Sequence, residues 1–128
     1  MRYLLDTHIL IWHFEGNEKL THKIREDILF NAKSQIFVSI SSLWEIAIKM
    51  NIGKYDFEGG FSAFYKLVND NEFDIVPIKL KHMELLSDLP LIHRDPFDRI
   101  IIATSLVEDM LIVTADENIQ KYSVPWVW

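Results

Sequence analysis

Short runs, most of them apolar on both faces, alternate with helix-patterned segments along this chain, and that alternation limits the fold more than any other feature. The runs lie at 2–5, 35–40 (QIFVSI), 73–78 (FDIVPI) and 111–114 (LIVT). Apolar residues at helical spacing occupy 7–14, 22–33, 41–50, 61–70, 79–89 (with Leu80, Met83 and Leu86 as one stripe) and 95–110, and a helical turn falls at 116–122. VPWVW at 124–128 reads as a fifth strand of edge type, because Pro125 lacks the N–H that a central ladder needs. Strands buried on both faces belong to parallel sheets with helices above and below. The pattern predicts an α/β fold, a three-layer α/β/α sandwich around a central, mostly parallel sheet of four to five strands. The chain has 128 residues and no linker, repeat or low-complexity stretch, so one domain over 1–128 is expected.

Composition narrows the chemistry. The apolar fraction is 49%, and 8 Phe, 4 Tyr and 4 Trp supply a full core. No run of about 18 apolar residues exists, so no membrane span is expected. The first residues enter a strand-like run without a cleavable signal pattern. Cys is absent, which removes disulfides, a thiol nucleophile and thiolate-bound zinc, and suits a cytoplasmic location. The net charge of −6 argues against a protein that simply grips phosphates. It leaves open an enzyme that holds phosphate through a metal, whose own charge is not counted in that total.

In open parallel sheets ligands bind past the carboxyl ends of the strands, where strand order reverses. Residues just after strands are therefore the first candidates. Asp6 closes the first strand in YLLDTHILIW. It suits equally the N-cap of the next helix, with Thr7 as its rival. Glu45 follows the second strand, and Ser42 to Glu45 also spells a capping box. In HRDPFDRIII, Asp95 suits an N-cap, Pro96 the first helical position and Asp98 the third, where the helix dipole favours an acid. Asp116 follows the fourth strand in LIVTADEN, where Thr114 to Glu117 spells another capping box and leaves Asp116 over. Each acid alone has a structural explanation. As a set, three of them follow three different strands and Asp98 opens the helix feeding the fourth, so a parallel sheet gathers them. Gathered carboxylates raise one another's pKa unless a cation neutralises them. Oxygen ligands without Cys or a close His pair suit Mg²⁺ or Mn²⁺. Such ions orient in-line attack on a phosphodiester and generate hydroxide from bound water.

YLLDTHILIW, SISSLWEIAIKMNIGK and LIHRDPFDRIIIATS…LIVTADENI together resemble the PIN domain and, more narrowly, the VapC-type toxins of bacterial toxin–antitoxin pairs. The resemblance covers nearly the whole chain and is weakest at 15–34 and 56–74. On it, Asp6, Glu45, Asp98 and Asp116 match the four site acids, Thr7 and Thr114 match supporting hydroxyls, and Asp95 falls on the flank of the motif as an outer-shell candidate. It implies a Mg²⁺- or Mn²⁺-dependent ribonuclease that leaves a 5′-phosphate, a homodimer, and a cognate VapB-type antitoxin whose tail blocks the groove. Lys49 lies one turn beyond Glu45 on the same face. Lys49, Lys54, Arg94 and Arg99 are the candidates for contact with RNA phosphates, each with an ordinary surface charge as its alternative.

Rival readings fit less well. A phospho-receiver signalling module needs paired acids after the first strand and an acceptor Asp at a later strand's end; here only Asp6 follows the first strand, and Asp74 begins its own. A phosphatase with an aspartyl nucleophile wants a second Asp two positions on, where this chain has His8. A non-catalytic PIN scaffold would be marked by loss of the acids, and all four are present. His8, His13, His22, His82 and His93 show no ligand spacing; His8 and His93 flank the acids, and neither is assigned as a base. Trp12, Trp44, Phe61 and Phe64 read as core or dimer packing, and the helices around 22–32 and 61–68 as candidate dimer faces. Aromatics exposed beside the site would favour stacking on single-stranded RNA.

Overall fold

The computed structural model describes residues 1–128. A five-stranded, all-parallel sheet forms its centre, in the order β3-β2-β1-β4-β5. The strands are β1 Arg2–Leu5, β2 Gln35–Ser39, β3 Asp74–Val76, β4 Leu111–Val113 and β5 Trp126–Val127. The helices are α1 Thr7–Glu15, α2 His22–Ile24 (continued by a π-helical turn, Arg25–Leu29), α3 Ile40–Asn51, α4 Gly60–Asp70, α5 Leu80–Asp88, α6 Pro96–Glu108 and α7 Glu117–Gln120.

Successive strand residues point to opposite faces, and here both faces are covered. Leu5, Ile36, Val38 and Val113 pack with Ile9, Leu43, Ile46, Phe64 and Val68 on one side. Leu4, Phe37 and Ile112 pack with Ile101, Ile102 and Ile119 on the other. This double burial is the physical source of the uninterrupted apolar runs in the sequence, and it gives the expected three layers.

Three elements differ from expectation. The helix expected over 22–33 stops at Leu29. Asn31 ends it: its side chain donates to Asp27 O at 3.2 Å and accepts from Lys33 N at 2.9 Å, replacing helical backbone partners. The third strand keeps only Asp74–Val76. Pro77 cannot donate onward, and Phe73 N–H is turned back to Val68 O at 3.1 Å. The fifth strand, at the sheet edge, keeps only Trp126–Val127; Pro125 lies just before it, and its carbonyl accepts from Ile112 N at 3.0 Å.

The stripe Leu80/Met83/Leu86 is not the buried face of α5. Leu80 and Met83 are exposed, and the buried side chain is His82. His82 Nδ1 accepts from Lys79 N at 3.1 Å, and its Nε2 meets Glu108 Oε1 at 3.0 Å, joining α5 to α6. Lys79 and Lys81 approach the same oxygen at 3.4 and 3.3 Å. The His82 hydrogen bond, helped by the two lysines, holds the Glu108 carboxyl down at about 2, against an ordinary 4.5. A depressed acid stabilises the fold above its unfolded pKa and loses that contribution as pH falls through its folded one. Glu108→Gln should therefore melt below the wild type at pH 6, with the two curves converging as pH drops from 4.5 towards 2.

Candidate metal centre

Strand order reverses at β1: β2 and β3 lie to one side, β4 and β5 to the other. Asp6 follows β1 at this switch point, and its N–H donates to Val113 O at 3.0 Å. It stands at the N-cap position of α1, but its side chain makes no cap bond. Instead Oδ2 accepts from Thr114 Oγ1 at 2.9 Å, while Oδ1 is buried with no partner. Capping thus does not account for the carboxylate.

Thr114 holds the far side of the switch point. Its hydroxyl oxygen also accepts from Asp116 N at 3.0 Å. The box expected from Thr114 to Glu117 is not formed. Asp116 itself is the N-cap of α7, with Oδ1 accepting from Asn118 N at 2.8 Å. The box expected from Ser42 to Glu45 is absent for a similar reason. Ser39 caps α3, so the helix starts at Ile40 and Glu45 falls in its second turn. There Glu45 Oε2 meets Lys49 Nζ at 3.2 Å, and the buried Oε1 has no partner. Thr7 Oγ1 donates to Ser42 Oγ at 2.8 Å and ties the start of α1 to α3.

The α6 terminus follows its sequence pattern. Asp95 Oδ1 accepts from Phe97 N at 2.8 Å and Asp98 N at 3.3 Å. One cap is enough, so the Asp98 carboxylate is left for other contacts. It meets His93 Nε2 at 2.9 Å. His93, Asp98 and Asp116 each offer an atom within 4.8 Å of the others.

The charges interact. Burial, with repulsion from Asp6 and Asp95, pushes the Asp98 carboxyl up to about 7, against the pull of His93 and with a further push from Asp116. Burial also raises Asp6, opposed by the Thr114 hydroxyl and by His8 and reinforced by Asp116. Asp6, Asp98 and Asp116 therefore share one field. Asp6 Oδ1, buried without a partner among aspartates that help to drive Asp98 towards neutrality, forms an arrangement that a divalent cation relieves; Glu45 Oε1 also lacks a partner, but Glu45 is not among the groups acting on Asp6 or Asp98. On that test the residues fit a hard divalent ion. A cavity of about 220 Å³ lined by Asp6, His8, Trp12 and Asp116 opens beside them. A larger one of about 470 Å³, among Asn31, Gln35 and Asn71, lies at the opposite end of β2 and contains none of the four site acids.

Of the expected cations, Lys49 is paired with Glu45, and Lys54 and Arg94 are exposed. Arg99 turns inward instead. Its Nη1 donates to Pro90 O at 3.0 Å and to the Tyr122 hydroxyl at 2.8 Å. That hydroxyl is also within 3.2 Å of Ile92 N and 3.0 Å of His93 N, so it fastens the loop that carries His93. Tyr122→Phe keeps the ring and strands these donors, which should cost about 1–3 kcal/mol in urea unfolding. His93 has no assigned role from the sequence alone. Its only signal there is a position five residues before Asp98, and the loop that folds it back is not a periodic pattern.

The PIN domain family model matches residues 3–125, and the chain belongs to that family. This sets aside the phospho-receiver reading. Among curated proteins none matches the sequence. Solved structures share the fold at low identity. VapBC2 from Rickettsia felis, bound to a DNA fragment from their promoter, aligns with a TM-score of 0.77 at 15% identity, over 99% of this chain and 98% of that one. VapBC-1 from nontypeable Haemophilus influenzae aligns at 0.67 and 18%, over 99% and 97%. A toxin–antitoxin complex from Klebsiella pneumoniae aligns at 0.67 and 17%, over 98% and 96%.

Proposed function

We propose that this PIN domain, spanning 1–128 as one unit, is a divalent-metal-dependent endoribonuclease of the cytoplasm that acts as the toxin of a toxin–antitoxin pair. The observation that carries the reading is the aspartate cluster at the switch point, Asp6, Asp98 and Asp116, with the buried Asp6 Oδ1 lacking any partner. Asp6, Glu45, Asp98 and Asp116 would hold one or two Mg²⁺ or Mn²⁺ ions. The ion supplies a polarised phosphoryl group and a water acidic enough to attack at neutral pH.

The protein's own residues position these ligands. Thr114 orients Asp6 through its hydroxyl and Asp116 through its backbone N–H. Thr7 fixes the start of α3, the helix that carries Glu45, through Ser42. Asp95 satisfies the first N–H groups of α6 and so frees the Asp98 carboxylate. Lys49, Lys54 and Arg94 are the proposed contacts for RNA phosphates; Lys49 reaches them only by giving up its pairing with Glu45, and Lys54 and Arg94 are exposed.

The fold-level likeness to VapBC and toxin–antitoxin complexes supports a VapB-type antitoxin as partner. A homodimer is the companion reading. The segments 22–32 and 61–68 place Ile24, Ile28, Leu29, Phe64 and Val68 in the protein's own core and leave Phe30, Phe61 and Tyr65 exposed. Another row of exposed apolar side chains runs along α3, through Ile40, Trp44 and Ile48, to Ile52 just beyond its end. No helix is long and apolar enough to cross a membrane.

Analysis of the cleaved RNA ends tests the chemistry. Attack by a metal-held water leaves a 5′-phosphate and a 3′-hydroxyl. A 2′,3′-cyclic phosphate would mean attack by the RNA's own 2′-hydroxyl and would overturn the mechanism.

A further inference from the structure

We propose that His93 is itself a ligand of the ion, so that the centre is a mixed nitrogen–oxygen site that prefers Mn²⁺ to Mg²⁺. This rests on the reading that the acids hold a divalent cation.

The geometry of three ligand atoms supports it. Metal–ligand distances of about 2.1 Å put neighbouring ligands of an octahedron ~3 Å apart and opposite ones ~4.2 Å apart. His93 Nε2 and Asp98 Oδ2 are 2.9 Å apart, the spacing of neighbouring ligands. Asp116 completes a set whose atoms all lie within 4.8 Å, close to the span of one coordination sphere. The hydrogen bond that now joins His93 to Asp98 holds one proton on the edge where an ion would sit.

A second, independent observation lies next to this set. Asp6 is 2% exposed, its Oδ1 has no partner, and it lines the same cavity as Asp116. The polar demand of the cluster is therefore unmet by the protein alone.

The loop also has the support expected of a positioned ligand. Tyr122 and Arg99 hold the backbone of His93 from both sides, through His93 N at 3.0 Å and His93 O at 3.4 Å. The imidazole is partly exposed, with a side-chain accessibility of 23%, so an ion can reach it from the crevice. An imidazole nitrogen adds affinity for transition metals and little for Mg²⁺, which takes oxygen ligands.

Pulsed EPR of the Mn²⁺-loaded protein tests the assignment without any assay of activity. The wild type should show a directly bound ¹⁴N coupling, and His93→Gln should lose it. Calorimetric titration should find Mn²⁺ affinity down by roughly 10–100-fold in His93→Gln, with Mg²⁺ affinity changed only a few-fold. Bound Mn²⁺ with no nitrogen coupling in the wild type would overturn the proposal and leave the carboxylate centre standing, with His93 acting as a hydrogen-bond partner of Asp98. A coupling that persists in His93→Gln would also overturn it, by assigning the nitrogen to another residue. Failure of the wild type to bind Mn²⁺ at all would overturn both this assignment and the metal-site reading beneath it.

Discussion

Asp98→Asn should raise the stability of the metal-free protein at pH 8 while reducing RNA hydrolysis by roughly 10²–10³-fold. The two effects share one cause. At pH 8 the Asp98 carboxyl, with a pKa of about 7, has lost its proton and stands charged among Asp6, Asp95 and Asp116. Asn occupies the same volume and can still hydrogen-bond to His93, but it carries no charge. Each pKa unit corresponds to about 1.4 kcal/mol, so relief of more than about 1 kcal/mol is expected. That is ~3 °C or more in the melting temperature of a chain this size. On the proposed reading, the charge that destabilises the metal-free protein is also the charge that would hold the ion, so the same substitution should remove function. Thermal melts in EDTA beside cleavage rates in Mn²⁺ check both halves. An Asp98→Asn protein that melts lower and cuts normally would contradict the assignment on both counts.

The pH dependence of the metal-free protein follows from the same carboxylate. Its folded pKa of about 7 lies above the ordinary value of 3.8. Between those values the folded protein keeps a proton that the unfolded chain has released, so rising pH favours unfolding across that window. Burial raises Asp6 as well, and its contribution has the same sign. His13 works the other way: burial pushes its pKa down, so its share of stability grows as pH rises. The wild-type stability minus that of Asp98→Asn removes the His13 contribution. That difference should become steadily less favourable from pH 4 to pH 7 and then level off. Adding Mg²⁺ or Mn²⁺ at pH 8 should reverse the trend in the wild type, by about 2.7 kcal/mol at a hundredfold excess over the dissociation constant. Asp6→Asn should gain much less. A flat difference across the window would show that Asp98 does not carry the proton assigned to it.

Much of this was legible in the chain. A strand such as LIVT, apolar on both faces, has few places to go except the middle of a covered parallel sheet. Asp6 and Asp116 then fall at strand ends by connectivity alone. The N-terminus of α6 was equally readable, because Asp95, Pro96 and Asp98 each suit one position of a helix start. What stayed hidden depends on loops and on competition between caps. Ser42 and Glu45 spell a capping box, yet Ser39 starts the helix three residues earlier and removes the box. Arg99 looks like a surface cation until the 90–93 loop folds over it. His82 lies off the apolar stripe of Leu80, Met83 and Leu86, and only Glu108, 26 positions away, explains why the histidine and not Leu80 is buried.

Cleavage of total RNA by the purified protein, with Mn²⁺ or with EDTA and beside Asp6→Asn, tests the central claim most directly. Asn keeps the size of the side chain and can still accept the Thr114 hydrogen bond, but it cannot supply the charge of the buried, unpartnered Oδ1. The account predicts cleavage that requires the ion and disappears in an Asp6→Asn protein that remains folded. Equal cleavage by both proteins, or cleavage that survives EDTA, would contradict it.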